Sequence, residues 1–210
     1  MSRTTRRRAV RAVAPVAGLL AAGLLVWQGS YAAFSATTTS PTNSWATGQV
    51  VLKNNTNAGA YQITGVAAFS VTNMVPSATA TAKCITVESS GTLAGAVKLY
   101  AANVTPNVVG TNQVPSNVVV TITEQTTGVT SNNVAANCTG FTGSSVIANG
   151  VALSSLPTTY GTGLGAFAPT GAATQYAAYK ISYVFNPGTG VADVQGKTAN
   201  ADFVWEIQTP

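Results

Sequence analysis

The chain contains no histidine. That absence removes Ser-His-Asp triads, imidazole acid–base catalysis and the HExxH helix of metalloproteases. Charge is also scarce, at 7% of residues, and the acids number five: Glu88, Glu124, Asp193, Asp202 and Glu206. They are scattered, and no DxDxDG-like run gathers the oxygen ligands that calcium requires. Glu124 closes a strand-like stretch and reads as a surface carboxylate, not as half of a catalytic pair. The cysteines are two, Cys84 and Cys138, too few for a metal site without imidazole ligands. Leu, Glu, Lys and Arg, which build helices, are rare beside Thr, Val, Ala, Asn and Gly, so the composition favours strands joined by turns.

What charge there is has a pattern. Arg3, Arg6, Arg7, Arg8 and Arg11 precede an apolar run from Val13 to Trp27, and Ser30-Tyr31-Ala32 follows with small residues where a signal peptidase reads. This order predicts a secretory signal over 1–32, cleaved between Ala32 and Ala33, with an uncleaved anchor as the alternative. The run carries Pro15, Gly18 and Gly23 and is shorter than the roughly 20 residues of a membrane-spanning helix. Arg6-Arg7 is followed by Ala9 and Val10, where a twin-arginine signal prefers bulkier residues, so ordinary unfolded export is the better reading. The formal net charge of +5 belongs to this leader: beyond it Lys53, Lys83, Lys98, Lys180 and Lys197 balance the five acids. The high pI is therefore no argument for nucleic acid, and a neutral exported chain has little self-repulsion to oppose association. The membrane enters only through the signal before cleavage.

Both cysteines lie in the exported part, where disulfides persist. One Cys84–Cys138 bridge is the natural pairing, with two buried thiols as the alternative. Along the chain, WATGQVVLKNN runs as a strand to a turn at Asn54-Asn55, and Ala60–Asn73 follows with Ile63, Val66, Phe69 and Val71 inward. TAKCITVESSG places Cys84 and Thr86 on one face and Ile85 and Val87 on the other, which predicts a central strand. With Gly91 in the turn, this strand and GAVKLYAANV read as a hairpin. NVVVTITEQ is β-branched, and Thr126–Gly143 is a polar connection holding Cys138. In Ser144–Leu156 the spacing of Ile147 with Val151 and of Leu153 with Leu156 predicts a short helix. Gly161, Gly163 and Gly165 lack the flanking strand and helix of a phosphate-binding loop and read as a surface loop. No cofactor is expected. AAYKISYVF and TANADFVWEIQ close the chain as strong strands, the second with Ala201, Phe203, Trp205 and Ile207 on its core face. The sequons at Asn54, Asn103 and Asn137 are weak in so Asn- and Thr-rich a chain.

About eight strands spaced by turn residues predict an all-β fold. The expectation is an antiparallel jelly-roll-like β-sandwich over 45–210, preceded by the cleavable signal helix, with a closed barrel as runner-up. Residues 33–44 form a polar, uncharged extended segment between the two.

The junction AFSATTTSPTNSWATGQVVL, the middle KCITVESSGTLAGAVKLYA and the closing YKISYVF and ADFVWEIQ together resemble the TasA/camelysin-like exported proteins of bacteria. The resemblance spans nearly the whole chain and lies in the combination and order of these stretches. It implies a jelly-roll subunit of an extracellular fibre, processed by a dedicated signal peptidase and polymerising head-to-tail with copies of itself. It further implies that the segment 33–44 is donated to a neighbour, with Phe34 as an anchor, Thr37, Thr38 and Thr39 as a ladder and Pro41 ending the strand; a free tail is the alternative. Camelysins were described as surface metalloproteases, and here the chain departs, having neither histidine nor an acidic cluster. The expected function is therefore a secreted structural subunit, not an enzyme, with a monomeric adhesion or binding module as the alternative.

Overall fold

The computed structural model describes residues 48–56, 60–65, 67–106, 113–187 and 194–210. They contain seven strands: β1 (Leu52–Asn55), β2 (Lys83–Ser89), β3 (Ala96–Thr105), β4 (Val118–Gln125), β5 (Ser145–Ala152), β6 (Gln175–Phe185) and β7 (Asn200–Gln208). A single helical turn, α1 (Val114–Asn117), leads into β4 and carries Pro115 in its first positions, where a missing N–H costs nothing. The strands form two antiparallel sheets, ordered β1-β2-β6-β4-β5 and β3-β7. The described part of the chain is thus an all-β, two-sheet sandwich.

β6 is the axis of the larger sheet. It pairs with β2 from Lys83↔Ile181 to Ser89↔Gln175 and with β4 from Val118↔Phe185 to Gln125↔Ala178. Beyond the start of β2 the ladder continues through Ser77 and Ala80, whose N–H groups donate to Phe185 and Tyr183. Residues opposite one another in a ladder share a face, so Ile85, Tyr179 and Glu124 form one inward row, and Ile122 and Ile181 the next. Val97, Leu99 and Ala101 of β3 close over this face from the second sheet, all at 1% exposure or less. Burying a Val or Leu side chain stabilises by about 2 kcal/mol, and the Ala101 methyl by less; the core they make runs from Ile85 through Val120 to Phe185.

Several sequence expectations are corrected here. β2 and β3 are not a hairpin: they belong to different sheets. The connection Ser90–Gly95 holds Gly91 but is an arch, because Ser90 and Thr92 donate their N–H groups to Val51 and Gln49 of the incoming chain and not to β3. Ser144–Leu156 is not a helix but β5 followed by a 3₁₀ turn, Leu153–Ser155. The spacing that imitated a helix has two sources: Leu153 opens the 3₁₀ turn and Leu156 caps it, and Ile147 and Val151 lie across register shifts, where Val120↔Val151, Ile122↔Ala148 and Thr123↔Val146 skip residues on β5. Gly150 takes φ +61 within the first shift, a conformation that favours glycine. The stretch 60–73 contributes an isolated bridge, Asn54↔Gln62, in place of a strand. Ile63 is 80% and Val71 50% exposed, whereas Phe69 packs edge-on against Tyr183; Val66 lies outside the described residues. Asn54 and Asn55 sit within β1, not in a turn.

The glycine-rich passage is more than a surface loop. It runs beside β3 on the side away from β7, where Gly95, Val97, Leu99 and Ala101 donate their N–H groups to the carbonyls of Pro169, Phe167, Leu164 and Pro157. Phe167 is buried in the core.

Candidate interaction surfaces

The inward row that ends at Glu124 places a carboxylate inside the sandwich. Glu124 is 2% exposed, which corrects its reading as a surface acid. Its parity explains the burial, since Val118, Val120, Ile122 and Glu124 alternate onto one face of β4. The carboxylate accepts the Tyr179 hydroxyl at 3.0 Å and the Ala166 N–H at 2.9 Å through Oε2 and 3.1 Å through Oε1. No Lys or Arg forms an ion pair with it among the described residues, so these donors do the work that keeps a buried charge tolerable. The neighbouring Gly165 has φ +99, which lets the backbone turn its amides toward the carboxylate without a Cβ in the way. Lys98 reaches the Gly165 carbonyl at 2.6 Å. Burial, and then the charge and hydrogen bond of Glu124, push the Tyr179 phenol well above its ordinary value; Tyr179 therefore stays a donor. With the Tyr179 hydroxyl and the Ala166 N–H both on the carboxylate, the cluster fastens the glycine-rich passage to the larger sheet.

The outer face of the same sheet is covered by the connection 126–144. Cys84, on the outward parity of β2, is bonded to Cys138, with Cα atoms 5.0 Å apart and a sequence separation of 54. The bridge pins the connection against β2 as the sequence predicts. Around it Cys84, Ala178 and Val134 make a second small core flanked by Val129 and Phe141. Gln125 supports the cover from below, donating to the Thr127 carbonyl and accepting the Thr142 N–H at 2.8 Å. The Tyr61 hydroxyl donates to the Ser131 carbonyl at 2.9 Å and its ring lies 5.7 Å from that of Tyr176. Burial first, and Tyr176 second, push Tyr61 up to about 12.

The sheets also have margins. β1 and β5 end the larger sheet, and β7 ends the smaller one. β1 is partly covered through the reciprocal Asn54–Gln62 backbone bonds at 2.9 and 3.0 Å. β5 is exposed over Ser145, Val146, Asn149 and Gly150.

Of the residues singled out from sequence, Cys84 and Cys138 are brought together. Ala32, Ala33, Phe34, Thr37, Thr38 and Thr39 all lie outside the described residues. Glu124 was the polar group missed, and its parity with the apolar positions of β4 was the signal that would have found it. Among the described residues no three His, Cys, Asp or Glu side chains gather as a metal site, and no helix is long and apolar enough to cross a membrane. No protein-family model matches the chain, and no curated protein matches it in sequence.

Proposed function

We propose that the chain is a secreted structural subunit of an extracellular fibre or surface matrix, assembled head-to-tail by donation of the N-terminal strand of one copy to the next. The observation that carries this reading is the incomplete closure of the sandwich: β5 and β7 each end a sheet, with no strand on their outer side among the described residues. Unpaired sheet edges are templates for another strand. The sequence places next to this domain a segment, 33–44, that is uncharged, Thr-rich and too poor in apolar residues to fold alone.

On this reading the sandwich is jelly-roll-like, the donated segment provides an eighth strand, and the contact repeats without closing, which gives a filament. The resemblance to TasA-type proteins supports it, as do the neutral exported chain and a disulfide suited to an oxidising compartment. Negative-stain microscopy of the mature protein is expected to show filaments, and deletion of 33–44 to leave a folded monomer. Filaments that persist after the deletion would overturn strand donation, and a mature protein that stays monomeric at every concentration would favour the adhesion-module alternative.

A further inference from the structure

We propose that β7, and not β5, is the accepting edge, and that its occupant is residues 33–44 of a second copy. This rests on the strand-donation reading above and names the surface that reading leaves open.

Hydrogen-bond parity shows what β7 offers. In an antiparallel ladder alternate residues of a strand bond to alternate neighbours. β3 spends the N–H groups of Val97, Leu99 and Ala101 on the glycine-rich passage, so it meets β7 through Lys98, Tyr100 and Ala102, opposite Glu206, Val204 and Asp202. The main-chain groups of Ala201, Phe203, Trp205 and Ile207 therefore face the open side, where no described residue bonds to them. Their register is unbroken from Asp202 to Gln208, the irregularity lying on β3 beyond Ala102.

The side chains point to the same conclusion. Ala201, Phe203, Trp205 and Ile207 pack against the core yet are only half-buried, so an added strand would cover their remaining flank. The Trp205 indole Nε1 is buried from solvent and has no hydrogen-bond partner, an uncommon state for a buried donor. β5 offers the opposite. Its two register shifts and the positive φ of Gly150 break the spacing that an incoming ladder needs.

The occupant follows from chain direction and chemistry. Gln49 and Val51 continue the β1–β2 ladder along Ser90, Thr92 and Leu93, so the chain read backward from Leu52 runs straight toward the end of the sandwich where Gln208 pairs with Ala96. Only residues 45–47 separate the segment from Gly48, which favours the β7 of a second copy over the chain's own. Residues 33–40, the eight before Pro41, reach along most of the nine of β7 at about 3.3 Å each. The segment carries no side-chain charge, so it meets the half-buried apolar row without desolvating an ion.

The test places a photo-reactive amino acid at Val204, on the solvent side of β7, or at Val146 of β5, in the mature full-length protein. Heavy-isotope-labelled and unlabelled subunits are mixed, assembled, irradiated and mapped by mass spectrometry. Adducts from Val204 to the 33–44 peptide that join heavy to light chains are the expected result. Adducts to that peptide from Val146 alone would overturn the choice of edge and leave strand donation standing. Adducts within single chains would overturn the second-copy occupant. Filaments without any adduct to 33–44 from either position, and surviving its deletion, would strike at strand donation itself.

Discussion

The larger sheet is covered twice, by different means. Its inner face meets β3 and the glycine-rich passage through large apolar residues, Ile122, Leu99, Tyr179 and Ile181 among them, each at 1% exposure or less. Its outer face meets an irregular connection through a core of Cys84, Ala178 and Val134. Apolar area scales with the number of side chains that can be brought into register, and a connection without a ladder brings few. The outer cover is instead tied by a covalent bond, the Gln125 amide and the Tyr61 hydroxyl. A layer too small to hold itself by packing is held at points.

That contrast can be broken from either side. The largest effect is expected from Cys84→Ser with Cys138→Ser: releasing a bridge across a sequence separation of 54 removes about 4 kcal/mol in the chain-entropy model. The thermal midpoint should fall by roughly 10 °C, and hydrogen exchange should quicken in 126–144 before it does in β4 and β6. An unchanged midpoint, or uniform quickening, would mean that the outer cover is held by packing after all. Next comes the inner face, where Leu99→Ala should cost about 3 kcal/mol in urea unfolding without loosening 126–144 selectively.

Glu124→Ala should cost about 2 kcal/mol by leaving the Ala166 N–H and Tyr179 hydroxyl without their acceptor, read as lost amide protection at Ala166. Adding Tyr179→Phe to Glu124→Leu should recover part of the loss, because the Ala166 N–H is then the one group left without its acceptor. Alkaline pH gives a smaller and graded comparison. Tyr61 on the outer side and Tyr179 on the inner are both raised above 10.0, so folding favours the neutral phenol. That contribution is complete below pH 10 and is lost as pH rises through the folded value, about 12 for Tyr61. Phenolate absorbance should therefore appear at Tyr61 before Tyr179, and Tyr61→Phe should flatten the early part of the stability decline. Val146→Lys, on the exposed β5 and under neither cover, should change stability by less than about 0.5 kcal/mol.

Much of this architecture is legible in sequence where period and chemistry agree. β4, β6 and the core face of β7 follow from β-branched and aromatic alternation, and the bridge from a chain with only two cysteines. The arch between β2 and β3 is not legible, because a glycine between two strand patterns looks the same whether the chain returns to its neighbour or crosses to the other sheet. β5 is hidden by its own register shifts, which move apolar residues from a spacing of two to spacings of three and four. Residues 60–73 mislead for a different reason: Ile63 and Val71 are apolar but exposed, so hydrophobicity there marks no buried face. The donor segment is suggested by composition and resemblance; the edge it would meet emerges only from which N–H groups of β3 are already engaged.

One consequence lies in the one-sided bonding along β3. Three of its N–H groups, and that of Gly95 just before it, are answered by carbonyls, two of them those of Pro157 and Pro169; in return the passage gives β3 one N–H, that of Leu164. Every residue, proline included, has a carbonyl. A cover that needs mainly acceptors at the right intervals constrains residue identity where it turns or fastens: at Gly165 and Gly171 with their positive φ, at Ala166 under Glu124, and at the buried Phe167 and Pro169. The exposed positions between those points are therefore where this passage can change sequence with the least disturbance.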